Sequence, residues 1–357
     1  MQEIRLYLSK KWKVKMKRIA VIGTNPNGSG GIQSFSKKLN NVIPNLSYYT
    51  LFPSSGKIVC DYAISENIIF KVINKLSLGR FFKFIMKRKL KNEKIDIAII
   101  NAPQDIYYLP DNIKKIVLVQ HSTYKRWWES SKFFDKSNTL LNIVKDKCWI
   151  VSLSDFEKEI ITSKMQIDDN RISVIRNPGD DVEFENKESI FNKKLVMLTR
   201  LDNKVKRIDL VIEGMKLAKN YELHIYGSGP DEKYLKEKAK GLKNVVFHSW
   251  VTDVKSVFSE PVILVCSSDY EGYPMSCIEA MEASVPIIIR NTFPSVPDII
   301  KGNGVILDKA WNGEEFARAI KEVDLNYQTY SYQAKKLSQR HSSKVIRKKW
   351  EDIILTL

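Results

Sequence analysis

Two glutamates, Glu271 and Glu279, stand eight positions apart in the stretch Val265–Arg290, VCSSDYEGYPMSCIEAMEASVPIIIR. That separation is about two helical turns plus a fraction, so one carboxylate in a loop and one in the following helix can face the same cleft. Between them Gly272 and Pro274 shape a tight turn that leads into a helix near Met275. The first N–H groups of such a helix lack intrahelical partners and attract anions. A second group, Arg200, Lys204, Lys206 and Arg207, follows the apolar strand Leu195–Leu198 and precedes a helix over Ile208–Ala218. Cations beside oriented amides are what a diphosphate needs. His121 stands directly after a third apolar run, Ile116–Gln120. Each feature has a structural alternative: a capped amphipathic helix with solvated carboxylates, a solvated basic loop, a core histidine.

The elements that must position these groups are legible as buried strands, each followed by a polar loop and a helix. Lys17–Gly23 (KRIAVIG) runs into the glycine-rich loop Thr24–Gln33, with Gly30 and Gly31, and then into a helix from about Ser34 to Val42. Glycines there let backbone N–H groups approach a phosphate or sugar. Further strands are expected at Ile95–Asn101, Ile116–Gln120, Trp149–Ser154 and Ile172–Ile175, and a charged, Pro/Gly-bearing linker at Asn177–Asn192. A second series opens at Leu195, continues through Tyr221–Tyr226 with its turn at Gly227, and reaches Val245–Phe247, Pro261–Cys266 and Val285–Ile289. Near-continuous apolar strands alternating with helices mark parallel α/β sheets. Ligands in such sheets sit at the carboxyl ends of the strands.

A chain of 357 residues suits two domains. The expected division is 1–178, 179–341, and a last helix at 342–357 that packs back on the first domain. No apolar run approaches the ~20 residues of a spanning helix, and no secretory h-region follows the basic N-terminus. Residues 1–16 read as a basic amphipathic segment or as residues ahead of a natural start at Met16. Cys60, Cys148, Cys266 and Cys277 form no CxxC and read as reduced core residues of a cytosolic protein. The net charge of +17 is uneven: residues 1–180 hold 31 Lys+Arg against 16 Asp+Glu, and the remainder is nearly neutral. Such asymmetry points one domain at a polyanion. Ile68–Lys94 is the densest basic stretch, with Phe81, Phe82, Ile85, Met86 and Leu90 on one helical face. That helix suits either a membrane interface or the domain core. Trp127 and Trp128 are assigned to the acceptor-side surface, with the core as alternative.

The combination Ser268-x-x-Glu271-Gly272-Tyr273-Pro274-Met275-Ser276 with Glu279-Ala-Met resembles the E-x(7)-E signature of retaining nucleotide-sugar glycosyltransferases of family 4, on the GT-B fold. Several further segments are similar to that family in the same order. Gly30-Gly31-Ile32-Gln33 resembles its GG-[IV]-E loop, with Gln in place of Glu. His121 matches its histidine, Asn177-Pro178-Gly179-Asp180 its interdomain segment, and Thr199–Arg207 its GRL…KG motif. Arg200 matches the family's Arg and Lys206 its Lys, with Lys204 as the alternative and Arg207 in place of Gly.

The resemblance implies α/β architecture: two Rossmann-like, doubly wound domains facing across a cleft, the second holding the donor. It implies Arg200 and Lys206 on the leaving diphosphate, Glu279 on the ribose, Glu271 on the donor sugar and His121 near that sugar. Gly30, Gly31, Gly227, Ser268, Gly272, Tyr273, Pro274, Met275 and Ser276 complete the expected donor contacts. Retention is implied, and with no second carboxylate placed as nucleophile, front-face transfer is expected. No Asp-x-Asp occurs, so neither metal nor cofactor is expected. The expected activity is hexosyl transfer from a UDP-sugar to a lipid-linked or polymeric surface glycan, such as a polysaccharide, capsule or teichoic-acid chain. The expected place is cytoplasmic, peripheral on an anionic inner membrane face. An inactive GT-B partner or chaperone is the alternative. A nucleic-acid partner is not expected, because no binding motif accompanies the charge and the charge lies away from the best ligand site.

Overall fold

The computed structural model describes residues 17–28, 30–52, 56–64, 67–77, 79–127, 129, 139–181, 184, 190–251 and 253–357. The expectations for residues 1–16 and for Trp128 lie outside them. The chain divides into two units: Met1–Pro178 together with Ser343–Leu357, and Gly179–Ser342.

The first unit contains β1 (Ile19–Gly23), α1 (Gly31–Val42), β2 (Ser47–Thr50), β3 (Tyr62–Ala63), α2 (Ile68–Leu76) and α3 (Arg80–Lys91). It continues with β4 (Ile97–Ile100), β5 (Lys115–Val119), α4 (Thr139–Lys147), β6 (Cys148–Ser152), α5 (Asp155–Met165) and β7 (Ile172–Val174). Its described strands form one sheet in the order β3-β2-β1-β4-β5-β6-β7, every pair parallel. Runs such as IAVIG and IAII are apolar on both pleat faces because helices cover both sides.

The second unit contains β8 (Lys194–Leu198), α6 (Asn203–Lys206), α7 (Ile208–Met215), β9 (Glu222–Tyr226), α8 (Glu232–Lys238), β10 (Val245–His248) and α9 (Val254–Val257). It continues with β11 (Ile263–Cys266), α10 (Met275–Glu282), β12 (Ile287–Arg290), α11 (Val296–Ile299), β13 (Gly304–Leu307), α12 (Gly313–Leu325) and α13 (Tyr327–Ser338). The order is β10-β9-β8-β11-β12-β13, again all parallel. Strand order reverses between β1 and β4 in one sheet and between β8 and β11 in the other. A doubly wound sheet leaves its ligand crevice at that switch point. Two Rossmann-like units of this kind are what the expected GT-B architecture requires.

Local sequence sets the helix boundaries. Ser154 Oγ caps α5 by accepting the Glu157 N–H, and Asn312 with Glu315 forms a capping box on α12. The last helix, α14 (Ser343–Thr356), belongs to the first unit: Arg347 donates to the carbonyls of Asn41 and Val42, and Lys349 to that of Val174. Ile346, Trp350, Ile353 and Ile354 are its buried residues.

One sequence expectation changes, and one that was left open is decided. Trp127 is 5% exposed and lies in the first unit's core, not on an acceptor-side surface. The basic stretch is two helices broken near Gly79 (φ +81), and α3 buries Phe82, Met86 and Leu90 in the core. Cys148, Cys266 and Cys277 are buried, and the described cysteines form no disulfide. Among the described residues, no helix is long and apolar enough to cross a membrane.

Candidate functional site

At the switch point of the second unit, the loops that leave β8 and β11 are stitched together. Asp269 N–H donates to the Val205 carbonyl at 2.8 Å, and Ser267 Oγ to the Lys206 carbonyl at 2.7 Å. The stitching carries Lys206 to Glu271: Nζ and Oε1 are 2.5 Å apart, and Ser268 Oγ donates to the same oxygen at 2.9 Å. Both side chains keep about a fifth of their surface exposed, at 22% and 20%. Burial opposes the charge on Lys206, but the facing carboxylate overrides it and holds the ammonium above the usual lysine range. Lys204 is exposed, so of the two lysines that the sequence left open it is Lys206 that meets Glu271. Arg200 is exposed at the end of β8, without an ion pair among the described residues. Its loop is set by Gly227, where an added Cβ would fall 1.9 Å from the Thr199 carbonyl oxygen.

Arg207 adopts the left-handed conformation (φ +48, ψ +44) between α6 and α7. Glycine would adopt that conformation without strain. Here the arginine gains Asp209, with Nε to Oδ1 at 3.1 Å, and stands 3.7 Å from Asp269. Asp269 in turn meets Arg290 Nη1 at 2.5 Å, and Arg290 is buried at the end of β12.

Beyond Glu271, the Gly272 carbonyl accepts Ser295 Oγ at 2.7 Å, and Pro274 is the N-cap of α10 with no side-chain cap. Met275 and Ser276 open the helix, and half-buried Glu279 lies in its second turn. Tyr273 lies in the turn that leads into α10. Its side chain is buried against His341, with the hydroxyl 3.2 Å from Nε2, which leaves the backbone as what it presents. Farther along α10, buried Glu282 accepts the N–H groups of Asp180 and Asp181 at 2.8 and 2.9 Å. It thereby pins the start of the expected linker to the second unit.

At the first unit's switch point, Gly30 is the N-cap of α1 and Gly31 its first residue. His121, after β5, has Nε2 at 2.8 Å from Asn101 Oδ1. Asn101 Nδ2 donates to Thr24 Oγ1 and Ser36 Oγ, which fixes Oδ1 as the acceptor. The proton of His121 therefore sits on Nε2, and Nδ1 keeps a lone pair. Burial pushes this imidazole down to about 3, so it is neutral at physiological pH.

The sequence did not single out Asp105, on the turn after β4. Its carboxyl lies beside Gly23 (φ +88), where an added Cβ would be 3.2 Å from it. Burial pushes Asp105 up to about 7, against the opposing hydrogen bonds of the Ala102 and Asn101 backbone. The available signal was a lone acid in the polar cluster Ala102–Asp105 that ends an apolar strand. Asn101, Asp269 and Arg290 were missed as well, although Arg290 is a charge that closes an otherwise apolar run.

Residues 181–340 match the family model described as glycosyl transferases group 1. With two Rossmann-like sheets, the fold is of the GT-B class, and the match to that family model lies within its second unit. Across 95% of its length the chain is 26% identical to an uncharacterized glycosyltransferase of Haemophilus influenzae, all of which is covered. It is 25% identical, over 95% of its length and all of the relative, to the O-antigen biosynthesis glycosyltransferase WbnH of Escherichia coli. Among solved structures, Anabaena HepE in complex with UDP and glucose superposes with a TM-score of 0.72 over 96% of this chain and 100% of that one. At 14% identity, that likeness speaks to the fold.

Proposed function

We propose that the protein is a retaining hexosyltransferase that moves a hexose from a UDP-sugar to a lipid-linked or polymeric cell-surface glycan. The observation that carries this is the Lys206–Glu271 pair beside the side-chain-uncapped N-terminus of α10. A diphosphate leaving group gains charge as the sugar C1–O bond breaks, and preorganised cations and amides lower the energy of that state. Lys206, the amides entering α10 and Arg200 supply them, in place of a metal. The bond's electron pair stays on the diphosphate oxygen, the acceptor oxygen bonds C1 from the same face, and its proton passes to the leaving phosphate. Glu279 accepts hydrogen bonds from the ribose hydroxyls and Glu271 from a sugar hydroxyl.

The likeness to an O-antigen enzyme and to a fold seen with UDP supports the acceptor and donor classes. The basic first unit favours work on an anionic membrane face from the cytoplasm. Presence together of Arg200, Lys206, Glu271 and Glu279 speaks against an inactive GT-B partner.

The test is thermal shift with UDP-, GDP- and ADP-sugars, with and without EDTA, followed by donor turnover. Stabilisation by a UDP-sugar that survives EDTA, and its loss in Glu279→Ala with the fold intact, is the expected result. No shift with any nucleotide sugar, or normal turnover in Glu279→Ala, overturns the proposed site.

A further inference from the structure

The nine-residue helix α2 buries none of its residues. Ile68 is 74% exposed, Ile69 60%, Val72 50%, Ile73 38% and Leu76 79%. At 100° per residue these five occupy one stripe. Phe70 and Asn74 lie on the opposite side and tether the helix. Phe70 packs edge-on to Phe81 at 5.4 Å, and Asn74 accepts the Phe82 N–H with its side chain and the Gly79 N–H with its carbonyl. Lys71 and Lys75 border the stripe. From Asn67 to Asn92 the sequence carries eight Lys and Arg and no acidic residue. The face therefore combines a row of water-exposed aliphatic side chains with two bordering lysines, in a stretch of sequence rich in cations.

We propose that α2 docks the protein on an anionic lipid bilayer, its aliphatic stripe entering the interface while Lys71 and Lys75 meet the headgroups. A protein partner suits this face poorly. Buried cores of protein interfaces favour Tyr, Trp and Arg and are depleted in Lys, whereas this face is aliphatic and lysine-edged. A bilayer interface takes that combination, burying apolar side chains at the acyl boundary while each nearby cation gains from anionic lipid. Nine residues span about 13 Å, enough to lie along the surface and too short to cross it. This inference rests on the membrane part of the proposed function and moves it to α2, because α3 spends its own apolar face on the core.

The experiment is flotation of the full chain with phosphatidylcholine vesicles, with and without phosphatidylglycerol. UDP-sugar thermal shift is measured on the same samples. The unmodified protein should float with the anionic vesicles alone. Ile69→Ser/Val72→Ser/Leu76→Ser should weaken flotation about tenfold or more, as should Lys71→Ser/Lys75→Ser, with nucleotide-sugar shifts unchanged. Equal flotation of the triple variant overturns the role of α2 and leaves membrane docking elsewhere on the unit. No flotation of the unmodified protein overturns docking altogether, while the nucleotide shift still scores the donor site separately. If the triple variant does not fold, Val72→Cys in a Cys60→Ser background carries an environment-sensitive dye instead. A blue shift on anionic vesicles supports insertion. A dye already shielded without vesicles, and exposed on removal of residues 1–16, shows the chain's own N-terminus on this face and overturns the proposal.

Discussion

Lys206 Nζ sits 2.5 Å from Glu271 Oε1, so a cation of the candidate site is held by one of its two paired glutamates. An incoming diphosphate finds the ammonium already charged and already oriented. Glu271 keeps Ser268 as a second partner when that ammonium is shared.

Replacing Lys206 by Met keeps most of the stem and removes the charge. Donor turnover should fall by about two to three orders of magnitude, the usual cost of one preorganised charge-stabilising group. Stability should fall by about 1–3 kcal/mol, because Glu271 loses its counter-ion in a partly dry setting. Turnover and thermal melts on one preparation check both. Unchanged turnover would remove Lys206 from the mechanism.

Asp105 gives a pH prediction with a definite sign. Its folded value of about 7 lies above the ordinary 3.8, so the folded protein holds a proton that the unfolded chain releases. Its contribution to stability is present below about pH 4 and is lost as pH rises towards 7. Asp105→Asn mimics the neutral form, and its stability advantage should grow from near zero at pH 4 to about 2–4 kcal/mol at pH 8. Denaturant melts across that range test it, and parallel curves would show that the carboxyl ionises normally in the fold.

Arg207 is held left-handed, which costs a side chain roughly 1 kcal/mol, and its pairing with Asp209 offsets part of that. Arg207→Ala loses the pairing and keeps the strain, whereas Arg207→Gly loses both. The glycine variant should therefore melt above the alanine variant by about 1 kcal/mol and lie within about 1 kcal/mol of the parent. Denaturation midpoints of the three proteins decide it; alanine at or above glycine would mean the backbone is unstrained.

Much of the fold was legible because buried parallel strands write themselves as local apolar runs: KRIAVIG, IDIAIIN and PIIIR each became a strand at nearly the expected place. The loop between β11 and α10 was legible as a candidate site for a related reason, since Glu271, Gly272, Pro274 and Glu279 are neighbours in sequence. What escaped depends on partners far apart along the chain. Tyr273 is taken into the interior by His341, Arg290 is fixed by Asp269, and Asn101 orients His121. Trp127 has the same composition whether it lines a groove or a core, and only packing separates the two. The apolar face of α3 was visible as periodicity, while the unpartnered face of α2 depended on tertiary placement.

The return of α14 to the first unit sets an order for biogenesis. Residues 179–342 form an uninterrupted unit that can close as soon as it leaves the ribosome. The first unit, although made earlier, lacks Ile346, Trp350, Ile353 and Ile354 until the last helix emerges. Each such burial contributes roughly 1.5–3 kcal/mol, and four together are comparable with the whole stability of a domain. Domains usually mature from the N-terminus during synthesis; here the first-made half should wait, exposed to chaperones and proteases, for the last-made helix.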